Sequence, residues 1–235
     1  MIDTVIPDGK WEFNESVSGC FADMLSRSIP QYDLMRDSVA NLIYSVAERN
    51  KHDLDVLDIG CSDGLMIEKL LDKFNGKGYY TGIDISTPML LKAKERFRDK
   101  DNVDIFNCDL RTDFPICDYN AITSILSIQF TPIEYRQRII QNIYNHLTDK
   151  GCFIMVEKVL GNTDILNELF VRNYYAMKKD NGYTDEQIER KRLSLEGVLV
   201  PVTSDWNVDL LKQAGFRQVD VFWKWMNFTG YIAIK

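Results

Sequence analysis

Three acidic residues sit where apolar runs of this chain end: Asp58, Asp84 and Asp109. Asp58 lies in Val56-Leu57-Asp58-Ile59-Gly60-Cys61-Ser62-Asp63-Gly64, an apolar stretch that closes in a turn of small residues. Asp84 closes Tyr79-Tyr80-Thr81-Gly82-Ile83, and Asp109 follows Val103-Asp104-Ile105-Phe106. A carboxylate has two acceptor oxygens, so Asp84 can take one hydroxyl of a ribose on each. Gly60 lets the backbone pass close to a ligand where a side chain would clash. Gly64 opens a helix whose N-terminal amides favour a carboxylate. Asp58 can meet an ammonium group, Ile85 and Leu110 can pack against adenine, and Asp109 can accept from the adenine amino group.

Such a set suits a zwitterionic adenosyl ligand. The turn lacks the first spacing of G-x-G-x-x-G, which favours S-adenosylmethionine over a nicotinamide or flavin dinucleotide. A single glycine turn is weak evidence, and a strand-end acid can be no more than a cap. The three together, at the ends of consecutive strands on one edge of a sheet, carry more weight.

The elements that must position these groups follow from periodicity. Residues 1–17 are mixed and polar, as in a loose arm. Phe21, Met24, Leu25, Met35, Val39, Leu42, Ile43 and Val46 recur at helical spacing, with Pro30 dividing two helices and Asp33 or Ser28 available as a cap. Strands are expected at Asp55–Ile59, Tyr79–Ile83, Val103–Phe106, Ala121–Ile128 and Cys152–Val156, with helices between them. The first is too densely apolar for strict alternation, which marks a strand covered on both faces. After a helical insertion at about Asp164–Leu195 come one helix and two strands, Gln218–Trp223 and Phe228–Ile234, read as an antiparallel hairpin. The predicted fold class is α/β: a doubly wound, Rossmann-like, seven-stranded, mostly parallel sheet with an antiparallel last strand. The whole of 1–235 is read as one domain, with an N-terminal helical cap at 1–50 and an insertion at 160–200.

Bulk properties narrow the function classes. The 235 residues are 45% hydrophobic with a formal charge of -7. Acidity gives no long-range attraction to nucleic acid, so direct nucleic-acid binding is not expected. Lys178-Lys179 and Arg190-Lys191-Arg192 are local basic runs, read as solvated helix faces. No apolar run reaches the roughly 18 residues of a membrane span. Met1–Pro7 has neither a basic start nor an apolar core, so no secretion signal is expected. Five cysteines without a C-x-x-C pair, and only His52 and His146, argue against a zinc site and fit a reducing cytoplasm.

Beyond the cofactor motif, the chain resembles the carboxy-S-adenosylmethionine synthases of tRNA wobble-uridine modification. The matching stretches are Trp11-Glu12-Phe13-Asn14-Glu15, Arg27-Ser28-Ile29-Pro30-Gln31-Tyr32, Asp58-Ile59-Gly60-Cys61-Ser62, Ile128-Gln129-Phe130, Glu157-Lys158, Asn181-Gly182-Tyr183-Thr184-Asp185-Glu186, Lys191-Arg192, Lys212-Gln213-Ala214-Gly215-Phe216 and Asn227-Phe228. The resemblance implies a class I methyltransferase fold, a homodimer, and conversion of S-adenosylmethionine with prephenate into carboxy-S-adenosylmethionine. It places Tyr32, Gly60, Cys61, Ser62, Asp84, Ile85, Asp109, Leu110 and Arg192 at ligand-contact positions, with Arg192 holding the extra carboxylate, in its own site or the partner's.

Some positions depart from that family. Ile125 stands where it has an asparagine that contacts ligand, Tyr174-Tyr175 where it has paired histidines, and Asp63 where it tends to be apolar. These changes favour ordinary methyl transfer to a small molecule, a carboxylate-bearing one among the candidates, as the first reading. Tyr32, Tyr174 and Tyr175 are candidates to orient or deprotonate the acceptor. Carboxy-S-adenosylmethionine synthesis, with Arg192 and Tyr32 at the second carboxylate, is the alternative, and a non-catalytic binding protein a distant third.

Overall fold

The computed structural model describes residues 2–5, 9–51 and 54–235. His52 lies outside the described residues.

Two helices come first, α1 (Glu15–Ser28) and α2 (Tyr32–Asn50). The Asn14 side chain caps α1 by accepting from the Val17 amide, and Val17, Cys20, Phe21 and Met24 form its buried stripe. Neither Asp33 nor Ser28 caps α2: its N-cap is Gln31, left-handed after Pro30, with no side-chain hydrogen bond. The arm before α1 is not loose over its described residues. Asp3 is buried and ion-paired with Lys191, and Trp11 is buried.

The alternating part follows: β1 (Asp55–Ile59), α3 (Leu65–Lys73), β2 (Tyr79–Asp84), α4 (Thr87–Arg96), β3 (Val103–Asn107), β4 (Tyr119–Ile125), α5 (Ile133–Asn145) and β5 (Leu147–Leu160). Then come α6 (Asp164–Asp180), α7 (Asp185–Leu195), β6 (Val202–Thr203), α8 (Ser204–Gln213), β7 (Gln218–Trp225) and β8 (Phe228–Ile234). The strand order is β3-β2-β1-β4-β5-β8-β7, with β8 antiparallel to both neighbours. The expected mixed sheet is present. The short β6, paired with the end of β5, is an additional strand that the sequence pattern did not signal.

Both faces of the sheet are covered, as the density of β1 requires. Val56 packs with Ile67 and Leu70 on one side. Leu57 and Ile59 pack with Ile139, Ile140 and Ile143 on the other. Strand order reverses between β1 and β4, so a crevice opens beyond their carboxyl ends.

Strand β4 stops three residues earlier than the apolar run suggests. Leu126 turns left-handed (φ 58°), and Ile128–Phe130 form one 3₁₀ turn. Long-range bonds hold this turn: the Ile128 amide donates to the Glu157 carboxylate, and the Lys158 amide donates to the Gln129 side chain. Strand β5 in turn runs longer than expected, because β8 pairs with it as far as Lys158 and β6 pairs with Val159 and Leu160.

Candidate functional site

A cavity of about 330 Å³ opens at the strand ends, within the roughly 300–1,000 Å³ of small-molecule sites. Its lining includes Tyr32, Asp58, Gly60, Cys61, Ser62, Asp84, Ile85, Asp109, Leu110 and Tyr174.

The turn after β1 is tied to β2 through the main chain. The Gly60 and Cys61 amides both donate to the Ile83 carbonyl, at 2.8 and 2.9 Å. Gly60 has φ 68°, and a Cβ there would overlap the Ser127 hydroxyl. Only glycine lets this turn lie against the end of β4. Asp84 is oriented from both sides: the Ser62 amide donates to one oxygen at 3.0 Å and the Ser86 amide to the other at 2.8 Å. A carboxylate has about four acceptor sites, so Asp84 keeps acceptor capacity for a ligand hydroxyl.

Burial dominates the electrostatics of this acidic wall. Asp58 accepts from the Thr123 hydroxyl at 2.7 Å, yet burial, assisted by the nearby Asp84 charge, pushes its carboxyl up to about 7. Burial raises Asp84 too, against the pull of its backbone amides. Neither carboxylate forms an ion pair among the described residues. Asp63 differs: burial raises it, but Arg96 lies 3.2 Å away and opposes the shift. A ligand that brings positive charge beside Asp58 and donors to Asp84 satisfies both. S-Adenosylmethionine has those groups, and the exposed Ile85 with half-buried Leu110 supplies apolar surface for a purine. Asp109 is already held by Arg111, whose Nη2 lies 2.6 Å from it and keeps its carboxyl below the usual range. It reaches a ligand only while sharing its charge with that guanidinium.

Tyr32 lies under the Arg36 guanidinium, 4.4 Å from its ring centroid, and burial raises its phenol. Trp11, Phe13, Phe21 and Phe130 form an aromatic wall, with Phe13 edge-on to Phe130 at 5.1 Å. Ile125 also faces the cavity, where it offers no hydrogen bond.

A second polar wall lies largely where the sequence pattern suggests solvated faces: Lys158, Lys178 and Lys191 all line the cavity. The two basic runs are not simple solvated faces. Lys178 and Lys191 are only 6% and 4% exposed, whereas Lys179 and Arg190 are exposed and Arg192 is half-buried. Burial lowers Lys158 to about 8 and Lys178 to about 7. One signal was available: Glu157-Lys158 interrupts an otherwise apolar strand, a local inconsistency of the kind that marks functional sites.

Two candidate residues do not join this cavity. Arg192 is half-buried and bonded to Glu189 at 2.8 Å and Glu196 at 2.6 Å. Tyr175 lies on the same side, close enough to feel the Arg192 charge, and is absent from the lining. Tyr174 is buried, with its ring 5.4 Å from Phe228. Among the described residues no group of three His, Cys, Asp or Glu side chains could hold a metal ion.

Known proteins resemble this chain at two levels. A family model described as a methyltransferase domain matches residues 56–151. A carboxy-S-adenosyl-L-methionine synthase of Methylococcus capsulatus is 36% identical over 95% of this chain and 93% of its own. One of Helicobacter pylori is 35% identical over 95% and 93%. Among solved structures, human N-acetylserotonin methyltransferase in complex with SAM has a TM-score of 0.63 at 15% identity, over 94% of this chain and 55% of that one. The plantazolicin methyltransferase BpumL has a TM-score of 0.66 at 14% identity, over 92% and 89%. These two share the fold.

Proposed function

The chain belongs to the carboxy-S-adenosyl-L-methionine synthase family and is an S-adenosylmethionine-using transferase, and from that premise we propose that it makes carboxy-S-adenosylmethionine, with prephenate as the carboxyl donor. The extent of the likeness carries this reading. It covers 95% of the chain, including the N-terminal helices and α6–α7, far beyond the methyltransferase-domain match at 56–151. Methyl transfer to a small molecule is the second reading, favoured by Ile125 in the lining where the resemblance leads one to expect an amide. Full-length likeness reverses the ranking that those altered positions suggest.

When bound, S-adenosylmethionine would supply a sulfonium whose methyl carbon exchanges a proton for the carboxyl group, while prephenate would aromatise to phenylpyruvate and its ring hydroxyl would leave with that proton as water. Asp84 accepts from the ribose hydroxyls, and Asp58 faces the ammonium. The Gly60–Ser62 turn admits the ligand's main body, while Ile85 and Leu110 flank adenine. Asp109 accepts from the adenine amino group. Tyr32 and the aromatic wall exclude water, which strengthens each electrostatic contact within the cavity. A decayed, non-catalytic protein fits poorly with Asp84 oriented by two amides and left without a cation.

Arg192 and Tyr175 serve a partner's site in this proposal. Exposed Ile165, Leu166 and Leu169 on α6, with Leu193 on α7, give the apolar surface of a homodimer. The protein acts in the cytoplasm as one domain, with the N-terminal helices as a cap and α6–α7 as an insertion.

The test is mass spectrometry of the ligand retained through purification. A sulfonium heavier than S-adenosylmethionine by one carboxyl group supports synthesis. S-Adenosylmethionine or S-adenosylhomocysteine alone favours methyl transfer.

A further inference from the structure

Two lysines near the end of β5 and in α6 turn uncompensated charge toward the cavity. Lys158 Nζ lies 4.6 Å from the centroid of the Tyr174 ring, and Lys178 Nζ lies 5.6 Å from the same ring. Lys178 Nζ also lies 4.9 Å from the Tyr183 ring. Among the described residues neither ammonium donates a hydrogen bond or joins an ion pair. The neighbouring Lys191 shows the contrast, since its charge is matched by buried Asp3.

Aromatic faces offset only part of what an ammonium loses on leaving water. A methionine would pack in either place without that cost. Two unmatched amines on one ring, both lining the cavity, therefore mark a place for an anion. We propose that Lys158 and Lys178, held over the Tyr174 ring, form the subsite that receives a carboxylate of the reactant other than S-adenosylmethionine. This rests on the proposed reaction, in which a carboxylate-bearing molecule shares the cavity with the sulfonium.

The lowered basicity of both amines agrees with such a subsite. Lys178 is lowered by burial first, then by the positive charges of Lys191, Lys158 and Arg27, with Asp3 opposing. The Tyr174 and Tyr183 phenols are themselves raised by burial and stay neutral. Near pH 7.5 part of Lys178 is uncharged, and an arriving carboxylate favours the charged form, so binding takes up a proton.

Calorimetry on the full chain saturated with S-adenosylhomocysteine tests this, with prephenate as the probe in two buffers of different ionisation enthalpy at pH 7.5. Lys178→Met and Lys158→Met should each weaken prephenate binding by about tenfold or more. Affinity for S-adenosylmethionine should stay within about twofold. Proton uptake should fall in Lys178→Met, leaving the smaller share that Lys158 contributes. Lys178→Arg should recover affinity with proton uptake reduced to the Lys158 share, because guanidinium stays charged. Melting curves on each variant check that the fold is kept. Unchanged prephenate affinity in the methionine variants overturns the proposal. An equal loss of S-adenosylmethionine affinity also overturns it, by assigning the subsite to the cofactor's own carboxylate. Wild-type protein that binds S-adenosylmethionine but not prephenate overturns it as well. Wild-type protein that binds no S-adenosylmethionine instead refutes the broader functional reading.

Discussion

The cavity has an acidic wall at the tips of β1 and β2 and a basic wall from β5 and α6, and burial acts on them with opposite sign. It pushes Asp58 up to about 7 from an ordinary 3.8 and brings Lys178 down to about 7 from an ordinary 10.5. Burial makes the charged forms of Asp58 and Lys178 costly until a ligand supplies the counter-charge. The acidic wall suits the cationic parts of S-adenosylmethionine and the basic wall an anionic partner. The difference teaches that, in the proposed reaction, one cavity can sort two reactants by the sign of their charge.

The same contrast sets how the ligand-free protein responds to pH. Asp58 has a folded pKa above its unfolded value. Its contribution is full below about pH 4 and is lost as pH rises through about 7. Lys178 has a folded pKa below its unfolded value. Its contribution is full above about pH 10.5 and is lost as pH falls through about 7.

Substitutions can break or sharpen the contrast. The largest effect is expected for Gly60→Ala, which places a Cβ against Ser127 at φ 68°. Left-handed strain and overpacking together should cost on the order of 2–4 kcal/mol of stability. A denaturant midpoint unchanged from wild type would show that the turn is not closed as described. Next, Asp84→Ala should weaken S-adenosylmethionine binding by about 1–3 kcal/mol through loss of the ribose acceptors. Equal calorimetric affinity in the two proteins would remove Asp84 from the acidic wall.

Asp58→Asn sharpens the comparison through its sign. Relieving a buried carboxylate should stabilise the ligand-free protein by about 1–2 kcal/mol at pH 8 and by little at pH 5. Thermal melts at both values check this, and an equal change at both would contradict the raised pKa. The smallest effect belongs to Arg192→Ala. Its pairs with Glu189 and Glu196 are exposed, so stability should move by no more than about 0.5 kcal/mol. Binding of S-adenosylmethionine by the variant should match wild type, while carboxylated product falls. Mixing it with Asp84→Ala protein should restore part of the turnover if Arg192 acts across a homodimer. No recovery in exchanged heterodimers would argue against that arrangement.

The two walls also differ in how far the sequence disclosed them. Asp58, Gly60 and Asp84 end short apolar strands, and strand periodicity alone brings them to one sheet edge. Lys158, Lys178 and Lys191 come from a strand extension and two helices of the insertion. Lys178 shares a helix face with Tyr174 one turn earlier, but its burial beside exposed Lys179 is completed by the Tyr183 ring from beyond the helix end. Leu126 reads as strand by composition, but the Glu157 and Gln129 bonds bend the chain there. Asp3 gave no hint of its burial, since its partner Lys191 lies near the other end of the sequence.

The most direct measurement is a timed incubation of purified full-length protein with S-adenosylmethionine and prephenate, followed by mass analysis of the sulfonium species. A sulfonium heavier by one carboxyl group should accumulate with turnover and require both compounds. Protein that binds S-adenosylmethionine yet yields no carboxylated sulfonium under these conditions would contradict the proposed reaction.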